Sequence, residues 1–220
     1  CLLEFEEQHP GEKAKIVSCG ISNQRETFVL WDEHGPPLCT AVVWQCKRSI
    51  AICNALQEEG MEAEIATRTG LKIDPYFSGT KLIWLYKNNK NVQRAIEEGR
   101  CHFGTVDTWL LYKLTNSAMY ATDMTNASRT LLFNISDLKW DTSILENFGL
   151  TKLKMPLVKH SSAHFGTTTL SGHFMEGIPI TGLIGDSHAA AFGERCFSPG
   201  TAKATIGTGS SVLRSEEHTS

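Results

Sequence analysis

Residues 182–193 read Gly-Leu-Ile-Gly-Asp-Ser-His-Ala-Ala-Ala-Phe-Gly, and this order decides the fold class. Ile178, Ile180, Leu183 and Ile184 supply the apolar run of a buried strand, and Ala189, Ala190 and Ala191 supply the helix formers behind it. Asp186 stands at the junction of the two. In open α/β sheets, ligands bind where strands end and helices begin. A carboxylate at such a junction is either a general base or the cap of the following helix. Taken alone the cap is the commoner role, so the residues elsewhere in the chain decide.

Working outward, residues 14–21 predict a strand, and residues 27–31 and 40–44 predict two more. The breaker cluster at 32–37 folds that pair into a hairpin. Ile50, Ile52, Cys53 and Leu56 mark a helix that Gly60 ends. Helices are expected over 78–88, with Ser78 as its N-cap, over 91–98 and over 106–113. Residues 120–140, rich in Thr, Asn, Ser and Asp, predict irregular structure. Asp141 is expected to cap a short helix to Phe148, and residues 201–206 open a further strand. Mixed strands and helices with one early hairpin predict an α/β architecture with a partly antiparallel sheet.

The chain has 220 residues, enough for one large domain or one domain and part of a second. With 41% hydrophobic and 20% charged residues it has the composition of a globular protein. A net charge of -3 and the lack of a dense Lys/Arg block argue against a nucleic-acid partner. No apolar run reaches the length of a membrane span and no signal peptide is visible. Seven scattered cysteines without a C-x-x-C pair read as reduced thiols of a cytoplasmic protein, mostly filling the core. The chain opens at Cys1 on what reads as the tail of a helix. Its last seven residues, 214–220, break the apolar pattern and match one reading frame of a common sequencing adapter, so they are expected to be an artefact on an internal fragment.

Four constellations have the composition of a binding site. Arg25 and Glu26, directly after a strand, reach one ligand only if the chain turns there. A guanidinium donor and a carboxylate acceptor then suit neighbouring hydroxyls of a polyol, whereas a surface ion pair is the plainer reading. Trp44 offers either a core plug or an apolar wall for the C–H face of a sugar. Tyr76, just ahead of the helix at 78, either brings a hydroxyl toward a cleft or simply precedes a capped helix, which is all that the local pattern requires. Gly207-Thr208-Gly209 lets the backbone turn and aim N–H groups at an anion, although a simple hairpin uses the same residues. His160 and His164 lack a carboxylate partner and make no metal motif, and no metal ligands are assigned. His188 reads as a packing residue, and the chain has no P-loop.

In this order the segments resemble the FGGY carbohydrate kinases, over about residues 16–213. The resemblance rests on Ile-Ser-Asn-Gln-Arg-Glu-Thr at 21–27, Val-Trp-Gln at 43–45 and Tyr-Phe-Ser-Gly-Thr-Lys-Leu-Ile-Trp-Leu-Tyr-Lys-Asn at 76–88. Residues 104–115 and 122–130 and Gly185-Asp186 extend it. It implies the ribonuclease-H-like fold of the actin-like ATPases. Residues 1–194 would form most of the sugar-binding first domain without its phosphate hairpin, and 195–213 the start of the nucleotide-binding second. It further implies ATP and Mg²⁺, a small polyol or ketose as substrate and Asp186 as the catalytic base. Arg25, Glu26, Trp44, Tyr76, Asp186 and Ser187 would hold substrate, and Thr208, flanked by Gly207 and Gly209, a nucleotide phosphate. A homo-oligomer is compatible with it.

Three positions depart from the glycerol-phosphorylating branch of that family. Ser187 stands for a usual Gln, Ser211 for a usual aromatic, and Cys46 for a frequent Asp. The two smaller serines suggest a roomier, more hydroxylated pocket. Glycerol is therefore the first substrate expected, a pentulose such as xylulose the second, and a non-catalytic nucleotide-gated clamp or regulator a remote third.

Overall fold

The computed structural model describes residues 2–33, 35–206 and 210–215. In chain order these form α1 (Leu2–Gln8), a 3₁₀ turn (Glu12–Lys15), β1 (Cys19–Asn23), β2 (Phe28–Asp32), α2 (Ile50–Glu58) and α3 (Glu62–Thr69). Next come α4 (Ser78–Asn88), α5 (Lys90–Glu97), β3 (Cys101–Thr105), α6 (Val106–Leu114), β4 (Ala121–Asp123) and α7 (Met124–Ala127). The remainder comprises β5 (Phe133–Asn134), β6 (Lys139–Trp140), α8 (Thr142–Asn147), β7 (Leu157–Lys159), β8 (Thr167–Thr168), β9 (Ile178–Gly185), α9 (Asp186–Gly193), β10 (Ala202–Thr205) and β11 (Ser211–Arg214).

Strand pairing is mixed, as expected, and among the described residues falls into one three-stranded sheet, β1–β9–β8, and four two-stranded ones. β1 runs parallel to β9, placing Ile21 beside Leu183 and Asn23 beside Gly185, and β8 joins β9 antiparallel. β2 pairs antiparallel with β3 and β4 parallel with β7, while β10 and β11 form a hairpin that Arg214 closes opposite Ala202. Leu183 and Ile180 on β9 pack with Ile21, Leu111 and Phe165 in one core. A larger core joins β2 and β3 to α2–α5 and α8 through residues such as Phe28, Ile65, Leu82, Phe103 and Ile144. Both parallel ends, Asn23 and Gly185, open on the same side, which is where the chain emerges as Gln24-Arg25-Glu26 and as Asp186.

Several elements differ from the sequence reading. The strand expected over 14–21 begins only at Cys19, because residues 12–15 wind into the 3₁₀ turn. Residues 40–44 form no strand. Their single bridge, Val42 to Phe28, keeps the hairpin contact without a ladder. Ser78 does not cap α4: Phe77 holds that position, and the Ser78 hydroxyl donates to the Glu26 carbonyl at 2.8 Å. Residues 120–140 contain β4, α7, β5 and β6 rather than irregular chain alone. Asp186 is not the N-cap of α9 but its first residue, after Gly185. Asp141 does cap α8, accepting from the Ile144 N–H at 3.1 Å. The six described cysteines are all free thiols; Cys53 and Cys101 are buried in the core, and Cys19, Cys39 and Cys46 pack against the cores half-buried, as core filling predicts.

A polar circuit is buried between β1, β9 and α7. Asp123 caps α7 through the Asn126 N–H and accepts from the hydroxyls of Thr125 and Ser161 at 2.7 and 2.6 Å. Thr125 Oγ1 in turn accepts from the Gly185 N–H at 2.8 Å, and Asn126 and Asn23 exchange amide hydrogen bonds. Next to it lies Asp107, fully buried, whose Oδ2 accepts from Thr122 at 2.6 Å. Burial raises the Asp107 carboxyl from its ordinary 3.8 to about 6.

Between these two values the folded state keeps a proton that the unfolded chain has released, so stability falls as pH rises from about 4 to about 6 and is level above. Asp107→Asn is expected to remove that fall. In urea titrations at about pH 4 and about pH 7, the variant should gain up to about 3 kcal/mol relative to wild type at the higher pH. Parallel pH profiles for the two proteins would disprove it.

Candidate active site

The chain turns sharply where β1 ends. Glu26 has φ 65, and the Thr27 N–H donates to the Arg25 carbonyl at 2.7 Å, closing a three-residue turn of the strained, positive-φ kind. The turn sends Arg25 and Glu26 toward one space instead of to opposite faces of an extended strand. Three bonds fix it: the Ser78 hydroxyl on the Glu26 carbonyl, Arg129 Nε on Glu26 Oε1 at 2.7 Å, and Arg25 Nη1 on His188 Nδ1 at 3.1 Å.

The space is a cleft of about 770 Å³ whose lining includes Arg25, Glu26, Trp44, Tyr76, Asp186 and Ser187. These are all the substrate-contact residues expected from the sequence. Ser211 lines it too, with Thr205 and Ser210. Gly207, Thr208 and Gly209 lie outside the described residues. A second cavity of about 740 Å³, between α1 and residues 173–177, contains none of the expected residues.

Charge is concentrated in the cleft and largely desolvated. Arg25 is 7% exposed and Glu26 2%. Burial lowers the Arg25 guanidinium from its ordinary value, with Glu26 and Asp186 pulling the other way. Burial raises the Glu26 carboxyl, opposed by Arg129 and Arg25. Arg25 Nε lies buried 3.8 Å from Asp186 Oδ1, without a hydrogen-bond partner among the described residues. The Asp186 carboxylate is more than half exposed to the cleft and accepts from the Ser187 N–H at 2.6 Å. Gly185 is required beside it, since a Cβ there would meet Arg25 Cδ and, at 2.8 Å, Arg25 Cγ.

Trp44 and Tyr76 form the apolar wall, their rings 5.5 Å apart in an edge-to-face pair. Burial raises the Tyr76 phenol above its ordinary value. The guanidinium of Arg129 lies 5.8 Å from the Tyr76 ring and 4.9 Å from that of Phe77. Sequence reasoning missed Arg129 and took His188 for packing. The only signal for Arg129 was an arginine inside the 122–130 block. Because a guanidinium can only donate, the His188 Nδ1 must accept, and the imidazole is neutral with its proton on Nε2. Burial, then Arg25, hold that imidazole down at about 4. Among the described residues no group of three or more His, Cys, Asp and Glu side chains could hold a metal ion. No helix is long and apolar enough to cross a membrane among those residues.

The arrangement thus pairs hydroxyl donors and acceptors with an aromatic wall, and sets one accessible carboxylate at the carboxyl end of a strand. The N-terminal domain of the FGGY family of carbohydrate kinases matches residues 1–193. Glycerol kinases from Shewanella woodyi and Fusobacterium nucleatum are 50% and 48% identical over 201 and 200 residues, which cover 91% and 90% of this chain and 40% of each relative. The crystal structure of Plasmodium falciparum glycerol kinase with ADP superposes with a TM-score of 0.83 at 38% identity, over 90% of this chain and 40% of that one. A xylulose kinase from Rhodospirillum rubrum shares the fold, with a TM-score of 0.81 at 17% identity over 96% of this chain and 43% of its own. The chain spans about 40% of the length of the curated relatives it matches.

Arg25→Gln tests the electrostatics without reference to function. Removing the cation should raise the His188 pKa from its low value, short of the ordinary 6.5 because burial remains. Histidine-ring NMR titration reads it, and an unmoved His188 resonance would refute the contact.

Proposed function

The chain belongs to the FGGY family of carbohydrate kinases, and from that membership we propose that the protein carrying it transfers the γ-phosphoryl group of ATP to a primary hydroxyl of a small polyol, glycerol first. The observation that carries the reading is the meeting of Arg25, Glu26, Trp44, Tyr76 and Asp186 around one cleft. Glu26 accepts from, and Arg25 donates to, adjacent hydroxyls, while the Trp44 and Tyr76 rings cover the carbon chain. Three such contacts fix the remaining hydroxyl beside Asp186.

Phosphoryl transfer asks the protein for alignment and charge compensation more than for covalent chemistry. The substrate oxygen forms a bond to the γ-phosphorus as the bond from that phosphorus to the β–γ bridging oxygen breaks and ADP leaves. Asp186 takes the hydroxyl proton. Arg25 Nε, buried and close to Asp186, is placed to stabilise the carboxylate before transfer and to donate to the substrate during it. Thr208, between Gly207 and Gly209, is proposed to contact a nucleotide phosphate. The described residues do not make a cage for the Mg²⁺ that the resemblance implies.

A pentulose such as xylulose is the second reading. It is favoured by Ser187 and Ser211, both on the cleft and both small.

Asp186→Asn, made in the full open reading frame that encodes this sequence, is expected to lower kcat about 10²- to 10⁴-fold with little change in polyol affinity. Wild-type turnover in that variant would remove Asp186 as the base. ADP release from the unsubstituted protein with glycerol, xylulose, ribulose and erythritol separates the substrates. ATP turnover indifferent to any polyol would favour a nucleotide-gated clamp over a kinase.

A further inference from the structure

Lys81 lies on the first turn of α4 and is completely buried. A lysine ammonium is seldom taken out of water without a carboxylate partner, because desolvation disfavours the charge. The bonds found for it run to two backbone carbonyls instead. Its Nζ donates to the Tyr76 carbonyl at 2.8 Å and to the Val43 carbonyl at 3.4 Å. Val43 immediately precedes Trp44. One ammonium therefore holds the backbone of both aromatic residues of the cleft wall, which come from segments more than thirty residues apart in sequence and belong to no common strand or helix. The rings of those residues meet edge to face at 5.5 Å, so their spacing depends on how far apart the two backbones are held.

We propose that Lys81 is a positioning residue that sets the gap between Trp44 and Tyr76 and thereby the affinity for the carbon chain of the polyol. It touches neither the reacting oxygen nor the nucleotide. This inference rests on the kinase reading above. The rest of the same helical turn acts in the same direction: Ser78 bonds the Glu26 carbonyl, and the Gly79 N–H donates at 2.7 Å to the carbonyl of Thr130, the residue after Arg129. Lys81 differs from these in carrying a charge that can be removed. Burial lowers its ammonium to about 8, with Cys46, Glu26 and Asp74 opposing the shift and Arg48 adding to it.

The test uses protein expressed from the full open reading frame, with glycerol and ATP as the two varied substrates. Lys81→Met keeps a buried chain of similar volume but frees both carbonyls. It is expected to raise the KM for glycerol about ten- to a hundredfold, while kcat and the KM for ATP stay within about threefold. Ile83→Val, a core truncation on the same helix, should leave the glycerol KM in place. A folded Lys81→Met protein with unchanged glycerol KM overturns the proposal, as does a shift that Ile83→Val reproduces. If Lys81→Met does not fold, the Cys46→Ser protein decides, since it lacks the thiol that titrates nearby. A glycerol KM that climbs with rising pH, beginning no higher than about pH 8 because the opposing Cys46 charge is gone, while the ATP KM stays flat supports the role, and a flat glycerol KM overturns it. Unsubstituted protein with no polyol-dependent ADP release removes the kinase reading and this inference together. Normal turnover with an inert Lys81→Met removes the inference alone.

Discussion

Everything in the cleft depends on the parallel register of β1 and β9, which sets Asn23 beside Gly185. A slip of one residue would turn the apolar residues of the strand to the wrong face and separate Arg25 from Asp186. Parallel pairing alone tolerates such slips where glycines line the strands, and Gly20 and Gly182 face each other here. The register is pinned from below by side chains instead. Asn23 locks to Asn126, Asn126 to Asp123, and Asp123 through Thr125 to the Gly185 N–H. Asp123 and Asn126 are completely buried and Asn23 nearly so. Each such bond contributes only about 1 kcal/mol when made, but a buried group left without its partner costs about 1–3 kcal/mol. The circuit therefore penalises every register but one.

A second constraint acts on the opposite wall. The turn at Glu26 carries backbone strain of about 1–3 kcal/mol, and the bonds from Ser78 and Arg129 offset it. Those partners belong to α4 and to the segment after α7, which the apolar core of Leu82, Leu85, Leu131 and Phe148 holds together. Strain at the site is thus balanced by ordinary packing behind it. The same burial that steadies the turn strips water from Arg25 and Glu26, so their hydrogen bonds to a hydroxyl would act in a lower dielectric than at the surface. Opposite charges close by keep the arrangement from being prohibitive.

The legible parts of the sequence were those where local pattern and tertiary role agree. The apolar run into Asp186, the helix at 78–88 and the Asp141 cap each announce themselves within a dozen residues, and each stands as read. The α3 helix was missed because Ile65 is its one large buried residue among Glu, Ala, Arg and Thr. The β3 strand, Cys-His-Phe-Gly-Thr, is buried on both faces, so it shows no alternation to read. Residues 14–18 lost their expected strand because 12–15 wind into a 3₁₀ turn and no neighbouring strand pairs with 16–18, so that the apolar Val17 remains 77% exposed. Arg129 and Lys81 were illegible for a different reason. Their roles consist of contacts across the fold, to Glu26 and to Val43, and spacing along the chain carries no trace of those.

The two walls of the cleft are not equivalent, and that bears on substrate choice. Arg25, Glu26, Trp44 and Tyr76 rest on buried bonds and on the main core. Facing them, α9 has no buried residue, and Ser211 and Val212 belong to a two-stranded hairpin. A ligand gripped by the first wall would be placed to within the tolerance of packed side chains. Ser187 and Ser211, the positions that depart from the glycerol-phosphorylating pattern, lie on the second wall. On the proposed reading, substitutions there would change how much chain fits beyond the gripped carbons, although Ser187 adjoins Asp186 and bonds it. The residues proposed to grip the substrate thus rest on one packed face, while Asp186, Ser187 and Ser211 stand on the other.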